Sequence, residues 1–271
     1  MAEENHEQLM NEAPEKLTRG EFVKIAGTVA ALLTGLGINS ALNKQNRGLA
    51  SSGEEGEHRW GMLIDTNLCI GCNYCTYACM AVNDLCEELR YNLVTTETTL
   101  TGEEYFLSRP CMHCDDPPCV HVCPVEATYV RPDGIVTMDY DRCIGCRYCQ
   151  IACPYDVRVF NWRKHDEENP LVPDFGLPEV PRRPRGVMEK CTFCEHRIDR
   201  GLERGMVPGV DDPATPACVV ACPTGARVFG DLKDENSPIN QALVKANTWL
   251  RLREELSTNP KVYYIPPKGE A

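Results

Sequence analysis

Seventeen cysteines in 271 residues set the chemistry open to this chain. All but Cys86 fall into four groups. The first is Cys69, Cys72, Cys75 and Cys79 in CIGCNYCTYAC, and the second is Cys111, Cys114, Cys119 and Cys123 in CMHCDDPPCVHVCP. The third is Cys143, Cys146, Cys149 and Cys153 in CIGCRYCQIACP. The fourth is split between Cys191 and Cys194 in CTFC and Cys218 and Cys222 in CVVACP. Structural zinc takes four ligands, commonly as two CxxC pairs, a pattern that suits only the fourth group. Closely spaced CxxC runs cannot readily bridge one another, and a chain of this length does not need many disulfides. An iron–sulfur cubane fits better. Three cysteines at CxxCxxC spacing wrap one cluster, and the fourth opens a helix that carries it towards a neighbouring cluster, as in two-cluster bacterial ferredoxins. Pro124, Pro154 and Pro223 follow the last cysteine of groups two, three and four. Proline there removes a backbone donor and turns the chain away. Sixteen cysteines then provide for four cubanes, close enough for electron transfer.

The elements that must hold these loops are short. IDTNLCIGCNYCTYAC aligns without a gap with MDYDRCIGCRYCQIAC, an internal repeat of a cysteine loop running into a short helix. GMLID and GIVTMDY are extended runs just before groups one and three. TYVRPDGIVTMD reads as a hairpin turning at Pro132-Asp133-Gly134. VRVFNW and ARVFGDL read as strands after groups three and four. Residues 163–187 carry Pro170, Pro173, Pro178, Pro181 and Pro184, the composition of an extended surface loop or a partner-docking arm. SPINQALVKANTWLRLREEL reads as a helix capped by Ser237 with Pro238 in its first turn. The tail VYYIPP has no place assigned by pattern.

With those motifs in view, the chain resembles the four-cluster electron-transfer subunit of the dimethyl sulfoxide reductase family over about residues 60–235. FNWRKHDEENP and RPRGVMEKCTFC are most similar to its quinone-linked branch, of the alternative complex III type. The resemblance implies an α+β fold of two tandem bacterial-ferredoxin-like lobes in pseudo-twofold repeat, each with two cubanes, plus loop insertions and a C-terminal helix. It implies a domain over 59–235, preceded by an export-signal-like or anchor segment and linker over 1–58 and followed by a helix and tail over 236–271. One lobe would comprise 59–108 and 188–235, the other 109–162, with the proline-rich insertion at 163–187. It implies nested ligand sets: Cys69, Cys72, Cys75 with Cys222; Cys191, Cys194, Cys218 with Cys79; Cys111, Cys114, Cys119 with Cys153; and Cys143, Cys146, Cys149 with Cys123. The implied partners are a molybdopterin (molybdenum or tungsten) catalytic subunit and a polytopic quinone-interacting membrane subunit. The implied role is that of an electron-transfer subunit of a respiratory oxidoreductase complex. A soluble polyferredoxin and a self-standing iron–sulfur enzyme are the alternatives.

Net charge is −12, which argues against nucleic acid as a partner. No apolar run reaches the roughly 20 residues of a membrane-spanning helix. The segment LTRGEFVKIAGTVAALLTGLGI carries Thr18-Arg19 and then fourteen mostly apolar residues, Ile25 to Ile38, in the layout of an export signal. It resembles a twin-arginine signal in which Gly20 stands at the second arginine position, and its upstream stretch is acidic at Glu3, Glu4, Glu7, Glu12 and Glu15. It predicts a chain at the extracytoplasmic face of the membrane, with the cytoplasmic face and a structural N-terminal helix as alternatives.

Charged residues beside the groups bear on redox potential. Lys190, His196 and Arg197 flank CTFC, and Arg142 and Arg147 flank group three; beside a cubane such cations favour the reduced form, and otherwise they are solvated charges. Asp115 and Asp116 would act in the opposite sense. His113 and His121 read as packing or surface residues, or as donors to sulfur. Trp162 and Trp249 read as packing residues, and Cys86 as a buried free thiol. No Ser-His-Asp constellation, phosphate loop or acid–base carboxylate pair stands beside the cysteine groups.

Overall fold

A computed structural model describes residues 56–268. The expected N-terminal signal lies almost wholly outside the described residues. The elements are β1 (Trp60–Asp65), α1 (Tyr74–Val82), β2 (Leu93–Thr98), β3 (Glu104–Arg109), α2 (Pro118–His121), β4 (Thr128–Val130), β5 (Val136–Met138) and α3 (Tyr148–Ala152). They continue with β6 (Val159–Phe160), β7 (Met188–Glu189), α4 (Glu195–Glu203), α5 (Ala217–Val220), β8 (Arg227–Asp231), α6 (Pro238–Ala246) and β9 (Val262–Ile265).

The near-continuous apolar run WGML of β1 is buried along its length, as suits a central strand. It pairs antiparallel with β8, Met62 opposite Phe229, and parallel with β9, Met62 opposite Val262. The unplaced tail therefore returns to complete the sheet β8-β1-β9. Trp60, Met62, Ile64, Phe229, Val262 and Tyr264 join Phe193 and Ile198 in one core. The expected hairpin forms as β4–β5, Thr128 opposite Met138, with Gly134 at φ 80° in the turn. Glycine meets that left-handed conformation without a Cβ penalty. β2 and β3 make a second hairpin, Leu93 opposite Arg109.

Two expected elements are shorter than their patterns. VRVFNW keeps only Val159–Phe160 as strand, because its partner β7 is itself two residues long. The C-terminal helix ends at Ala246, where Asn247 turns to φ 58°. Beyond it, Leu250 bridges to Tyr264 instead of continuing the helix. Ser237 does not cap through its side chain; its Oγ donates to the Asp231 carbonyl at 2.6 Å.

Helix packing decides which cysteine groups meet. α1, after group one, packs on α5 of group four, while α2 of group two packs on α3 of group three. Residues 163–187 lie over α1 as an irregular segment. Asn169 Nδ2 donates to the Met80 carbonyl at 3.0 Å, Glu179 N donates to the Val82 carbonyl at 2.9 Å, and the Phe175 ring meets Tyr74 and Tyr77 edge-on.

Candidate cluster-binding sites

Each cysteine loop is shaped by left-handed residues. In group one Gly71 and Asn73 have φ 70° and 62°, and in group three Gly145 and Arg147 have φ 68° and 63°. The chain thereby curls so that successive cysteines face one centre, and a helix starts at once. A Cβ on Gly145 would lie 2.1 Å from the Gly186 carbonyl oxygen, and one on Gly71 would lie 2.5 Å from the Phe106 ring.

The cysteines gather in four places. Cys69, Cys72 and Cys75 line one cavity together with Cys222. Cys143, Cys146 and Cys149 line another together with Cys123. At Cys79, burial pushes the thiol well up, and Cys194, Cys191 and Cys218 push it further as near neighbours. Burial pushes Cys114 up to about 12, with Cys111, Cys119 and Cys153 around it. Each helix opens around the third cysteine of its group and not, as the spacing suggested, at the fourth: Cys79 lies inside α1, Cys153 is the C-cap of α3, and Cys123 and Cys222 lie just past α2 and α5. One short helix thus separates each fourth cysteine from its own group and sets it beside another.

These places are also neighbours in a row. Burial raises the Cys218 thiol, Arg227 pulls it down, and Cys75 of the first cavity pushes it up. Cys191 is raised by burial, then by Cys218, then by Cys111. Cys149 is raised by burial, lowered by Arg158, and raised by Cys119. These charge influences link the Cys69 cavity to the Cys191 place, that place to the Cys111 place, and that one to the Cys143 cavity. Exposure follows the same order. Cys79, Cys191, Cys194 and Cys218 are all buried, and so are Cys111, Cys114 and Cys119, with Cys153 partly open; at the two end places Cys75 and Cys149 are buried, but Cys69, Cys72, Cys222, Cys123 and Cys143 are partly open and Cys146 is exposed.

A buried thiol held this high does not ionise by itself, since an isolated buried anion is costly. Four such sulfurs at one place suit a bound cationic iron core, which takes thiolates directly. Donors to sulfur are already in place. Asn92 Nδ2 reaches Cys75 Sγ at 3.3 Å, Ala127 N reaches Cys123 Sγ at 3.2 Å, and Phe193 N reaches Cys191 Sγ at 3.4 Å. Asn83 Nδ2 lies 3.6 Å from Cys79 Sγ, and Met188 N lies 3.5 Å from Cys143 Sγ. The donor set thus fits [4Fe-4S] clusters at all four places.

Two arginines that sequence reading passed over face these sulfurs. Arg227 Nη1 donates to Cys218 Sγ at 3.3 Å and contacts Met62 Sδ at 3.4 Å, while Nη2 binds Asn92 and Ser108. Arg158 Nη1 contacts Met138 Sδ at 3.4 Å, and its Nη2 donates to Thr128 Oγ1 at 2.8 Å. Both are buried. Burial is the largest single influence and opposes each cation, but the anionic neighbours together reverse it, Cys218, Cys75, Tyr264 and Cys191 at Arg227 and Cys119, Cys149 and Cys111 at Arg158, so both pKa values are raised. A partial signal was present: CPYDVR and CPTGAR put an arginine at the same distance after two of the three Cys-Pro pairs, whereas CPVEAT has Thr128 there.

The flanking residues singled out by sequence divide. Lys190 is not a solvated charge: it is fully buried, and its Nζ donates to the Val136 and Cys191 carbonyls. His196 and Arg197 lie near Glu179 at 3.6 Å and 3.5 Å. Arg142 is half-exposed beside Glu126, and Arg147 stacks over Trp162, 4.6 Å from the ring centre. Trp162 is itself largely exposed, and Trp249 lies edge-on to Tyr263. Asp115 accepts from the buried Lys261 at 2.9 Å and pairs with Arg59. Asp116 holds the exposed His121 at 2.7 Å. His113 is buried and stacked on Phe193 at 3.7 Å; its Nδ1 accepts from Val136 N at 3.1 Å. Burial holds this imidazole well below its ordinary range, helped by Lys190, Lys261 and Arg158.

Comparison with known proteins agrees with this chemistry. Residues 103–169 and 142–226 each match a family described as a 4Fe-4S dicluster domain. A Halobacterium salinarum protein named as the iron–sulfur subunit of a dimethyl sulfoxide reductase is 41% identical over 222 residues, 76% of this chain and 78% of its own. The menaquinone reductase iron–sulfur cluster-binding subunit of Nitratidesulfovibrio vulgaris is 40% identical over 236 residues, 79% of this chain and 91% of its own. The Hdr-like menaquinol oxidoreductase iron–sulfur subunit 1 of Archaeoglobus fulgidus is 37% identical across 94% of this chain and all of its own.

Proposed function

Because the chain belongs to the iron–sulfur subunits of dimethyl sulfoxide reductase-family complexes, we propose that it is the electron conduit of a respiratory oxidoreductase, carrying four [4Fe-4S] clusters, two in each of two ferredoxin-like lobes. The ligand sets are the nested ones: Cys69, Cys72, Cys75, Cys222; Cys79, Cys191, Cys194, Cys218; Cys111, Cys114, Cys119, Cys153; and Cys123, Cys143, Cys146, Cys149. The observation that carries this reading is the single-file order of the four cysteine gatherings, buried in the middle and opening to solvent at both ends. A cubane supplies one-electron storage at each place. The protein's own residues space the places, bury all four cysteines of the Cys191 place and three of the four at the Cys111 place, and set the charge around each. Arg227 and Arg158 supply buried positive charge that offsets the added negative charge of reduction.

One open end would meet a molybdopterin catalytic subunit, and the other a quinone-interacting membrane subunit. The names of the menaquinone-linked relatives support the second partner. The N-terminal segment would bring the assembly to the extracytoplasmic face of the membrane. Oxygen-protected protein is expected to carry about sixteen iron and sixteen acid-labile sulfide. It should co-purify from its native membrane with a pterin-containing subunit, and quinol should reduce its clusters in that complex. Stoichiometric zinc with no labile sulfide would sink the cluster assignment. A fully loaded chain that remains a free monomer in its native extract would sink the conduit assignment. Export is tested separately by fractionation, with Gly20→Arg expected to increase the extracytoplasmic share; a chain confined to the cytoplasm overturns it.

A further inference from the structure

Cys86 stands apart from the four gatherings, yet it is not alone. Its Sγ lies 3.1 Å from His165 Nε2, and Glu88 Oε2 lies 3.9 Å from the same nitrogen. One ligand atom from each of the three lies within 4.8 Å of the others. The His165 side chain is only 4% exposed. Its position is held by Arg182, whose Nη1 donates to the His165 carbonyl at 2.8 Å while Nη2 pairs with Asp84 at 2.8 Å. His165 Nδ1 faces Glu167 Oε2 at 3.9 Å. That separation is too long for a direct hydrogen bond, so Glu167 contributes only negative charge on the far side of the ring.

We propose that Cys86, His165 and Glu88 form a site for a divalent ion of the zinc class, separate from the iron–sulfur centres, that staples the proline-rich segment to the loop after α1. Thiolate, imidazole and carboxylate together suit a borderline-soft ion, and the partly exposed side leaves a fourth position for water. With Zn–S near 2.3 Å and Zn–N near 2.0–2.1 Å, tetrahedral ligation separates sulfur from nitrogen by about 3.5 Å. The 3.1 Å seen here therefore opens by a few tenths of an ångström. Binding displaces the Cys86 thiol proton, and the thiolate and the Glu88 carboxylate balance the 2+ charge. Arg163 competes, because it pairs with both oxygens of Glu88. Cys86 and His165 are accordingly the principal ligands, with Glu88 adding less. The principal pair lies 79 residues apart in sequence, so the ion closes a long loop.

The test uses the full chain with its clusters loaded, titrated anaerobically with Zn²⁺ against a competing chelator. Expected are about one zinc per chain with iron content unchanged, and a zinc-edge absorption spectrum with one sulfur near 2.3 Å among nitrogen and oxygen ligands. Cys86→Ala and His165→Gln should each weaken binding by about 100-fold or more, and Glu88→Gln by about 10-fold. Zinc should also slow proteolytic cutting within 163–187. Absence of tight zinc, zinc that displaces iron, or Cys86→Ala binding as wild type does would each overturn the site. Should Cys86→Ala lose iron for reasons of folding, His165→Gln on the proline-rich segment carries the same comparison, and wild-type affinity there is decisive against the proposal.

Discussion

In CIGCNYCTYAC and CIGCRYCQIACP the backbone turns left-handed at matching places, Gly71 and Asn73 in one loop, Gly145 and Arg147 in the other. After the third cysteine the two diverge. α1 runs nine residues, whereas α3 stops after five with Cys153 already extended at φ −77°, ψ 114°. Met80 continues the first helix, while Pro154 forces the residue before it out of helical conformation. Cover differs as well. Thr76 is buried and donates to the Asn92 carbonyl at 3.2 Å, and Tyr77 lies against Phe175. Ile151, which aligns with Tyr77, is 83% exposed. Cys79 is accordingly buried and its counterpart Cys153 is not fully so. Loop shape is thus a local property shared by the repeat, and insulation is conferred by what packs on top.

The strongest way to break this comparison is to remove a fourth cysteine from each partner set. Cys222→Ser should convert the cluster at Cys69, Cys72 and Cys75 to a three-iron form or abolish it, leaving the Cys191 cluster intact. Cys79→Ser should do the reverse. Electron paramagnetic resonance with assigned signals reads the difference; damage to the Cys191 cluster in Cys222→Ser would overturn the nested sets.

Next in size are the loop glycines. Alanine in a left-handed position costs about 1–2 kcal/mol before any contact is counted. At Gly145 the new Cβ also meets backbone, at Gly71 a ring that can shift. Cluster bleaching in guanidinium should accelerate about ten-fold or more for Gly145→Ala and less for Gly71→Ala. Equal rates would mean that both loops tolerate the same strain.

The buried arginines sharpen the comparison through potential. Replacing Arg227 or Arg158 by Met removes a cation worth on the order of 1–3 kcal/mol to a reduced neighbour, a fall of about 50–130 mV. Arg227 touches Cys218 Sγ directly, so its fall should be the larger. Lysine at either position should restore part of it, and redox titration of each variant reads the effect. No change in potential would reduce both residues to packing.

The smallest effect concerns cover. Phe175→Ala removes two edge-on ring contacts from α1 and should cost about 1–2 kcal/mol, with faster amide exchange along α1 and none at α3. Equal exchange in the two helices would detach the proline-rich segment from insulation.

By itself the sequence determined what is local. Cysteine spacing dictated loops for cubanes, glycine marked the left-handed turns, and Pro132-Asp133-Gly134 marked the β4–β5 hairpin, because steric limits on φ and ψ act within a few residues. The cysteine-loop repeat was legible by direct alignment of its two copies, while the α+β fold of paired lobes came from the family resemblance that those motifs carry. The tertiary structure alone decided the rest. It packed α1 on α5 and α2 on α3, buried Lys190, Arg158 and Arg227 among sulfurs and carbonyls, and laid VYYI beside β1 as β9. It also brought His165 to Cys86 across 79 residues. VYYI carries no period that names its partner, and an arginine reads alike whether it ends in solvent or in a core. Which surfaces exclude water together depends on the whole chain closing, and that long-range burial is the term a short window of residues does not contain.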